Sequence, residues 1–304
     1  MNEDEPVLEL PDFDPRMTRR AVRRGIVRTA SLVLAVLVAV ALVATLGSAL
    51  VQKRGDREER MRDVLGTAFK IYNPAYNIVV QDCCETTPLS MSFTVAAGQR
   101  RAQGGFRGDG STFHTITQDF FGRVGRLPLG NYANTRLSTS LADIGTTLGQ
   151  KDHVRKVLAR LPESLNALAV VEFAKPLTTA EFGAFGTGCY GRAVYERRPG
   201  SVPITWDGFT YDRVFRDLDP NPPCEKAPAQ DLEIFRRWVG MLHDYDEANL
   251  RRFDLSLARL RKASADGLVY GYVDSMARIK DLRKLIEDPR VRTIHLADVT
   301  FDLG

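Results

Sequence analysis

Apolar residues divide the chain into one uninterrupted apolar run and a series of amphipathic segments. Residues 29–51 contain no charged side chain, and Val, Leu and Ala fill almost the whole run. A helix of this length extends about 35 Å, enough to cross a hydrocarbon core of about 30 Å. The run therefore predicts a transmembrane helix at 29–51. A buried helix and a cleaved signal peptide are the alternatives, but a signal peptide usually has only about 7–15 apolar residues.

The region after the apolar run shows the alternation of β-strands. A charged stretch at 55–63 indicates a solvated continuation of the helix, and apolar and polar residues then alternate at 76–80 and 90–97. A period of two is typical of strands that bury one face. Residues 104–132 are rich in Gly, Thr and Phe and lack a helical period. We therefore expect a β-rich region at 52–150.

The last part of the chain alternates between helical and strand patterns. The predicted elements are helices at 151–162, 178–186, 230–267 and 275–288 and strands at 164–178, 268–275 and 291–301. From residue 165 onward the order is β-α-α-β-α-β, with a loop between the first two helices. This order predicts an α+β domain at 151–304, a small sheet with helices on one face. In the longest helix, Asp231 is the expected cap, Gly267 follows the end, and Phe235, Trp238, Leu242, Tyr245, Phe253, Leu257 and Leu260 form the apolar face.

Charge is distributed unevenly, although the net charge is only +4. The first 14 residues hold six acids, and residues 15–28 hold six arginines. Such blocks predict a disordered tail at 1–28. Six basic residues precede the apolar run and five follow it closely, so the positive-inside rule alone does not decide the orientation.

The cysteines favour an external location for the part that follows the run. All four, Cys83, Cys84, Cys189 and Cys224, lie after residue 51, and no pair has the CxxC spacing of a zinc site. We expect Cys83 and Cys84 to pair with Cys189 and Cys224, with the connectivity open. Disulfides persist outside the cytoplasm, which predicts a single-pass membrane protein with a cytoplasmic N-terminus. Four free thiols in a cytosolic domain are the alternative.

Catalytic and cofactor motifs are weak. The pattern GxGxxG occurs at 186–191, but a helical pattern precedes it where a dinucleotide site needs a strand. His243 and Glu247 would lie one helical turn apart, as metal ligands can, but a solvated helix face is the simpler interpretation. His295 fits a structural position in a strand, and Asp207, Asp212, Asp217 and Asp219 fit exposed acids of a loop. From these weak motifs we expect no enzyme, cofactor site or metal site. We also expect no nucleic-acid site, since the basic clusters flank the membrane segment, where anionic lipid explains them.

Two parts of the sequence resemble a known family. The arginine-flanked span that leads into "GTAFKIYNPAYNI", and the segments "NALAVVEFAKPLTTAEF" and "LVYGYVDSMARIKDLRKLIEDPRVRTIHLADV", resemble the bacterial sigma factor regulator proteins. The likeness covers residues 16–95 and 155–304. It implies a non-enzymatic membrane regulator whose external domain responds to an envelope signal and restrains an extracytoplasmic-function sigma factor.

The chain departs from that family at its N-terminus. Anti-sigma proteins usually carry a folded cytosolic domain before the span, whereas the 28 residues here are too few for an independent fold. Val7, Leu8, Leu10 and Phe13 alternate with acids and could form a linear motif for a basic, apolar partner. A plain solvated tail is the alternative. A scaffold of cell division or wall assembly, which meets an envelope protein or ligand and no sigma factor, is the second functional hypothesis, and an exported hydrolase is the third.

Overall fold

A computed structural model of the 304-residue chain describes residues 15–53, 57–102, 110–130, 134–185, 191–207, 219 and 222–301. The chain divides into two compact units, residues 1–53 and residues 54–304. We refer to the second as the folded unit. Its helices are α2 (Arg57–Arg60), α3 (Gly66–Tyr72), α4 (Arg136–Ala142), α5 (Lys151–Arg160), α6 (Thr179–Gly183), α7 (Ala227–Gly240), α8 (Glu247–Leu250), α9 (Leu257–Asp266) and α10 (Ile279–Leu285). Its strands are β1 (Tyr76–Thr86), β2 (Ser90–Gln99), β3 (Thr112–Asp119), β4 (Leu165–Leu177), β5 (Gly191–Val194), β6 (Thr205–Trp206), β7 (Val269–Arg278) and β8 (Val291–Phe301).

The first unit contains helix α1 (Pro15–Lys53), which includes the apolar run. The helix is long and apolar enough to span a membrane. Its apolar side chains stay exposed, as Leu37 does at 60%. Ser31 donates a hydrogen bond to the Val27 carbonyl oxygen and Thr45 to that of Leu42, so these hydroxyls do not interrupt the apolar surface.

The folded unit begins with a continuous helical segment, residues 57–72, which we name the linker helix. It consists of α2, a π-helical turn (Met61–Leu65) and α3. The predicted solvated helix is therefore correct only for its first turn. From Met61 onward, residues spaced by three and four positions are apolar, and Met61, Val64, Leu65, Ala68 and Phe69 are buried. Burial of such a stripe explains why the segment packs into the unit.

The strands form two antiparallel sheets. The first has the order β1-β2-β3, and the second has the order β6-β5-β7-β4-β8. Strand β4 lies between β7 and β8 in the second sheet, where Val170 pairs with Val273 of β7 and with His295 of β8. Its near-continuous apolar sequence reflects burial on both faces. Strands β5 and β6 were not predicted, since they are short and lie in a stretch without clear alternation.

The predicted regions 52–150 and 151–304 contribute to one hydrophobic core. Met61 and Phe93 belong to the same buried cluster as Phe173 and Trp238. A second, smaller cluster covers the other face of the five-stranded sheet, where α4 packs on β4 and β8. The predicted arrangement, with helices on one face of the sheet only, is therefore wrong. The outward-facing residues of β4 are apolar too, so that face also needs a cover.

Most predicted elements of the last region are confirmed, with one exception. Helices α5, α6 and α10 and strands β4, β7 and β8 coincide with the predicted segments, and Thr178 and Glu181 form a capping box at α6. The long helix predicted at 230–267 is instead divided into α7, α8 and α9. The divisions lie at a turn near His243 and at Asp254, which adopts a left-handed conformation, with φ of 51°. Ser256 then caps α9.

Two consequences follow from that division. Asp231 lies inside α7, which begins with a proline in its first turn, so Asp231 does not cap the helix. Tyr245, predicted on the buried face, is 66% exposed. Gly267 does follow the end of α9 in a left-handed conformation, as predicted.

Candidate functional site

A cleft of about 310 Å³ lies beside the start of the linker helix. Three segments form it: the linker helix, the turn that follows β3, and the turn that leads into α8. The lining residues are Arg57, Arg60, Met61, Val64, Leu65, Gln118, Phe121, Gly122, Tyr245, Asp246 and Asn249. The cleft is thus built where the chain enters the folded unit, next in sequence to the apolar helix.

Arg57 attaches the linker helix to the turn after β3. Its guanidinium donates hydrogen bonds to the carbonyl oxygens of Asp119, at 2.6 Å, and Phe120, at 3.1 Å. Burial lowers the pKa of Arg57, and the charge of Asp119 opposes that shift. The guanidinium therefore binds two backbone carbonyl groups. It fixes the turn relative to the start of the linker helix.

Arg60 attaches the linker helix to the opposite wall of the cleft. It forms an ion pair of 2.6 Å with Asp246 and donates a hydrogen bond to the Met241 carbonyl oxygen. The guanidinium carbon also lies 5.1 Å from the centre of the Tyr245 ring, a cation–π contact. Both partners of the ion pair are mostly buried, so loss of one would leave the other charge without compensation.

Trp238 of α7 supplies a third attachment. Its indole N–H donates a hydrogen bond of 3.0 Å to the carbonyl oxygen of Asp63, and its side chain is fully buried. That carbonyl lies in the π-helical turn, where the usual helical pairing of backbone groups is altered. Arg57, Arg60 and Trp238 together hold the linker helix at three successive turns.

Cys83 and Cys84 of β1 form a vicinal pair beside the linker helix. Their sulfurs are joined to each other, and both lie 3.8 Å from the Glu58 carbonyl oxygen. For these two residues the structure shows a contact with each other, whereas the sequence predicted that they would pair with Cys189 and Cys224. Cys224 is disulfide-bonded, and Cys189 lies outside the described residues.

The same pair lies near a carboxylate. One ligand atom each from Glu58, Cys83 and Cys84 lies within 4.8 Å of the others. Two thiolates and a carboxylate can bind a thiophilic cation, but only after reduction of the sulfur–sulfur bond. The arrangement thus supplies a disulfide in the oxidised form and ligands in the reduced form.

A buried ion cluster lies on the second face of the five-stranded sheet. The Glu172 carboxylate is fully buried, and it accepts hydrogen bonds from Arg292, from the Gly145 backbone N–H and from His295. Burial opposes ionisation of Glu172, but the hydrogen bonds from His295 and Arg292 outweigh it and hold the pKa of Glu172 below its usual value. Arg197 lies 3.7 Å from the same carboxylate. The cluster joins β4, β8 and the loop after α4.

Asp207, one of the candidate acids of the loop, forms two ion pairs. It binds Arg192, at 2.6 Å, and Arg100, at 3.0 Å, in a largely buried position. Burial and the neighbouring Arg192 lower the pKa of Arg100 to about 10. Asp212 and Asp217 lie outside the described residues, and so does the GxGxxG segment up to residue 190. Asp207 is therefore an anchor of β5 and β2, since its oxygen is shared by two guanidinium groups.

His243 and Glu247 do not share the helix face on which the sequence would place them. The His243 backbone N–H donates to Asp246, and Glu247 accepts hydrogen bonds from Arg251 and from the Leu257 backbone N–H. A 3₁₀ turn lies between the two residues, so their side chains are not on one face of an α-helix.

The tail residues Val7, Leu8, Leu10 and Phe13 lie outside the described residues. A scan against protein families, a search of curated proteins and a search of solved structures each found no match to this chain. The function of the chain is therefore inferred from its own sequence and structure.

Sequence reasoning missed the roles of Arg57, Arg60 and Glu172. The two arginines stand in a run of alternating charges that is typical of a solvated helix face. The useful signal was the apolar spacing of Met61, Leu65 and Phe69, which indicates an amphipathic helix that must dock. Glu172 interrupts the apolar sequence of β4, and a lone acid in such a strand indicates a buried, paired carboxylate.

Proposed function

We propose that the chain is a single-pass bacterial membrane regulator without enzymatic activity. In this proposal α1 spans the cell membrane, the tail lies in the cytoplasm and the folded unit lies outside. The folded unit responds to an envelope signal, and the tail controls an extracytoplasmic-function sigma factor. No cofactor or nucleic acid takes part.

The observation that carries this proposal is the integration of the linker helix into the core. Its apolar side chains are buried, and Arg57, Arg60 and Trp238 attach it to three other segments. Only residues 54–56 separate it from the end of α1. A conformational change in the folded unit can therefore reach the apolar helix through a short connection. A long, flexible linker would not transmit such a change.

The cysteines support an external folded unit. Cys83 and Cys84 are joined, and Cys224 is disulfide-bonded. Structural disulfides are rare in the reducing bacterial cytoplasm and common outside it. With the folded unit outside, the arginines at 16–28 flank the cytoplasmic end of the span, where they can meet anionic lipid.

The link to a sigma factor rests on the resemblance of residues 16–95 and 155–304 and on the tail. The tail sequence alternates Val7, Leu8, Leu10 and Phe13 with acids. Such a segment can fold onto a basic and apolar surface, although it cannot fold alone. Thus the proposed regulator would act through a linear motif in this tail.

Crosslinking of intact cells tests the proposal. The full-length protein would be crosslinked in its membrane, purified in detergent, and its partners identified by mass spectrometry. We expect a sigma factor among them. We also expect it to disappear after deletion of residues 2–15 or after substitution of Val7, Leu8, Leu10 and Phe13 by Ser.

A matched control distinguishes the tail from apolar surface in general. Substitution of the exposed Leu89 and Leu148 of the folded unit by Ser should leave recovery of the sigma factor unchanged. Recovery of envelope proteins alone, from both the full chain and the tail variants, would contradict sigma-factor control. That result would favour a scaffold of division or wall assembly.

A further inference from the structure

The turn after β3 carries an exposed aromatic pair. Phe121 is 81% exposed, and its ring lies edge-on to that of Phe120, with 5.6 Å between ring centres. We name residues 118–126 the aromatic turn. These two adjacent aromatic side chains leave apolar surface that no contact within the protein buries. An exposed apolar surface of this kind is typical of a binding site for a partner or a membrane.

Positive charge surrounds the aromatic turn. The turn contains Arg123 and Arg126, both exposed, and one acid, Asp119. Side chains that bond to its backbone add Arg57 and Arg252. The turn itself thus carries two arginines and one carboxylate, and two further arginines bind its backbone. Aromatic rings with arginines suit the headgroup region of an anionic bilayer.

The turn is also held by side chains of two helices, and one of these, Arg57, is close in sequence to the apolar helix. Asn249 binds the turn from α8, with bonds to the Gly122 carbonyl oxygen and the Val124 N–H, and Arg57 binds it from the linker helix. Arg57 is four residues after Lys53, the last residue of α1. Four residues of chain span at most about 15 Å. The covalent structure thus keeps the Cα atom of Arg57 within that distance of the Cα atom of Lys53.

We propose that the aromatic turn docks on the anionic lipid surface of the membrane that α1 spans, with Phe120 and Phe121 in the interface and Arg123 and Arg126 against phosphate groups. This inference rests on the proposed membrane anchoring. Docking would fix the folded unit against the bilayer at a second point, beside the covalent connection. Rotation of the unit relative to α1 would then be restricted.

Fluorescence quenching by brominated lipid tests the docking. The full chain carrying Phe121→Trp would be reconstituted in vesicles of phosphatidylcholine and phosphatidylglycerol in which some acyl chains are brominated near the headgroup and others near their methyl ends. We expect a blue-shifted emission that is quenched at least as strongly as that of Leu37→Trp, which reports on α1. The native Trp206 and Trp238 are buried, so their emission can be subtracted with the parent protein.

Phe113→Trp is the matched control. Phe113 lies on β3, the strand that leads into the aromatic turn, and is 69% exposed. It is about 20 Å from the end of that strand. We expect no quenching at this position. In vesicles of phosphatidylcholine alone, or in a Phe121→Trp variant that also carries Arg123→Glu and Arg126→Glu, the quenching at position 121 should fall.

The outcomes separate the two proposals. Quenching of Leu37→Trp without quenching of Phe121→Trp would overturn the docking and leave the membrane anchor intact. A blue shift at position 121 without quenching would also overturn it, since protein and not lipid would then cover the turn. Equal quenching with and without phosphatidylglycerol would overturn the role of the arginines. Absence of quenching at position 37 would instead overturn the anchor itself.

Discussion

Helix α1 and the linker helix follow each other in the sequence, yet they place their apolar residues in opposite environments. In α1 the apolar side chains surround the axis and remain exposed, as at Leu37. In the linker helix they form one stripe, and Met61, Leu65 and Phe69 are buried in the core. A helix that is apolar all round suits a bilayer or the interior of a protein, whereas a helix with one apolar stripe suits a protein surface.

The contrast indicates where stability resides. The linker helix contributes packing, an ion pair and an indole hydrogen bond to the folded unit. Helix α1 is a compact unit of its own and should contribute little to unfolding of residues 54–304. Variants of the two helices should therefore differ in their effect on the free energy of unfolding of the folded unit.

The largest difference is expected for Phe69→Ala. Removal of this fully buried ring should lower the free energy of unfolding by about 3–5 kcal/mol. Leu37→Ala, in α1, should leave it unchanged. Urea titration of the full chain in detergent micelles, followed by tryptophan emission, measures both. Equal losses would contradict the division between the helices.

Glu172→Gln should lower stability without touching the linker helix. At neutral pH we expect a loss of about 3 kcal/mol, because Arg292 and Arg197 lose a buried carboxylate. Since the folded-state pKa of Glu172 is below its usual value of 4.5, its stabilising effect is present above that pH and disappears as the pH falls through the folded-state pKa.

Urea titrations of Glu172→Gln and the parent protein across this pH range measure the effect. The difference in unfolding free energy between the two should shrink as the medium becomes acidic. A difference that grows on acidification would contradict the assigned ionisation of Glu172. The variant is also a control for signalling, since it weakens the folded unit with the contacts of the linker helix intact.

Arg60→Met should have a smaller effect. Loss of the ion pair with Asp246, which is mostly buried, should lower the free energy of unfolding by about 2 kcal/mol. Arg24→Met removes an exposed arginine of α1 and should leave the stability of the folded unit unchanged. Thermal unfolding of the two variants in the same detergent compares them. A neutral Arg60→Met would show that the attachment adds no stability.

The smallest effect is expected for Cys83→Ser. A bond between adjacent residues closes almost no chain loop, so its loss should cost less than about 1 kcal/mol. Peptide mapping without reduction should find Cys83 and Cys84 joined within one peptide. A crosslink from either residue to Cys189 or Cys224 would contradict the vicinal pair.

Periodicity predicted the regular elements well where the pattern was long. Strands β4, β7 and β8 and helix α5 have clear apolar patterns, and burial decides their structure. Periodicity failed at the long helical pattern of 230–267. There, local effects such as the left-handed Asp254 and the Ser256 cap interrupt the chain although the apolar spacing continues.

The candidate site was much less predictable than the fold. Its key groups, Arg57 and Arg60, act on carbonyl oxygens and on Asp246, up to 186 residues away in sequence. A single sequence carries no signal for such tertiary partners. The vicinal pair of Cys83 and Cys84 was missed for a related reason, because the count and spacing of cysteines do not fix their connectivity.

We propose that α1 separates a cytoplasmic tail from an external folded unit. Labelling of single introduced cysteines in intact cells with a membrane-impermeant maleimide tests it most directly, with the parent protein as the background. We expect Leu148→Cys, at an exposed position of the folded unit, to react in intact cells, and Leu8→Cys, in the tail, to react only after lysis. The reverse pattern, or reaction of both in intact cells, would contradict the account.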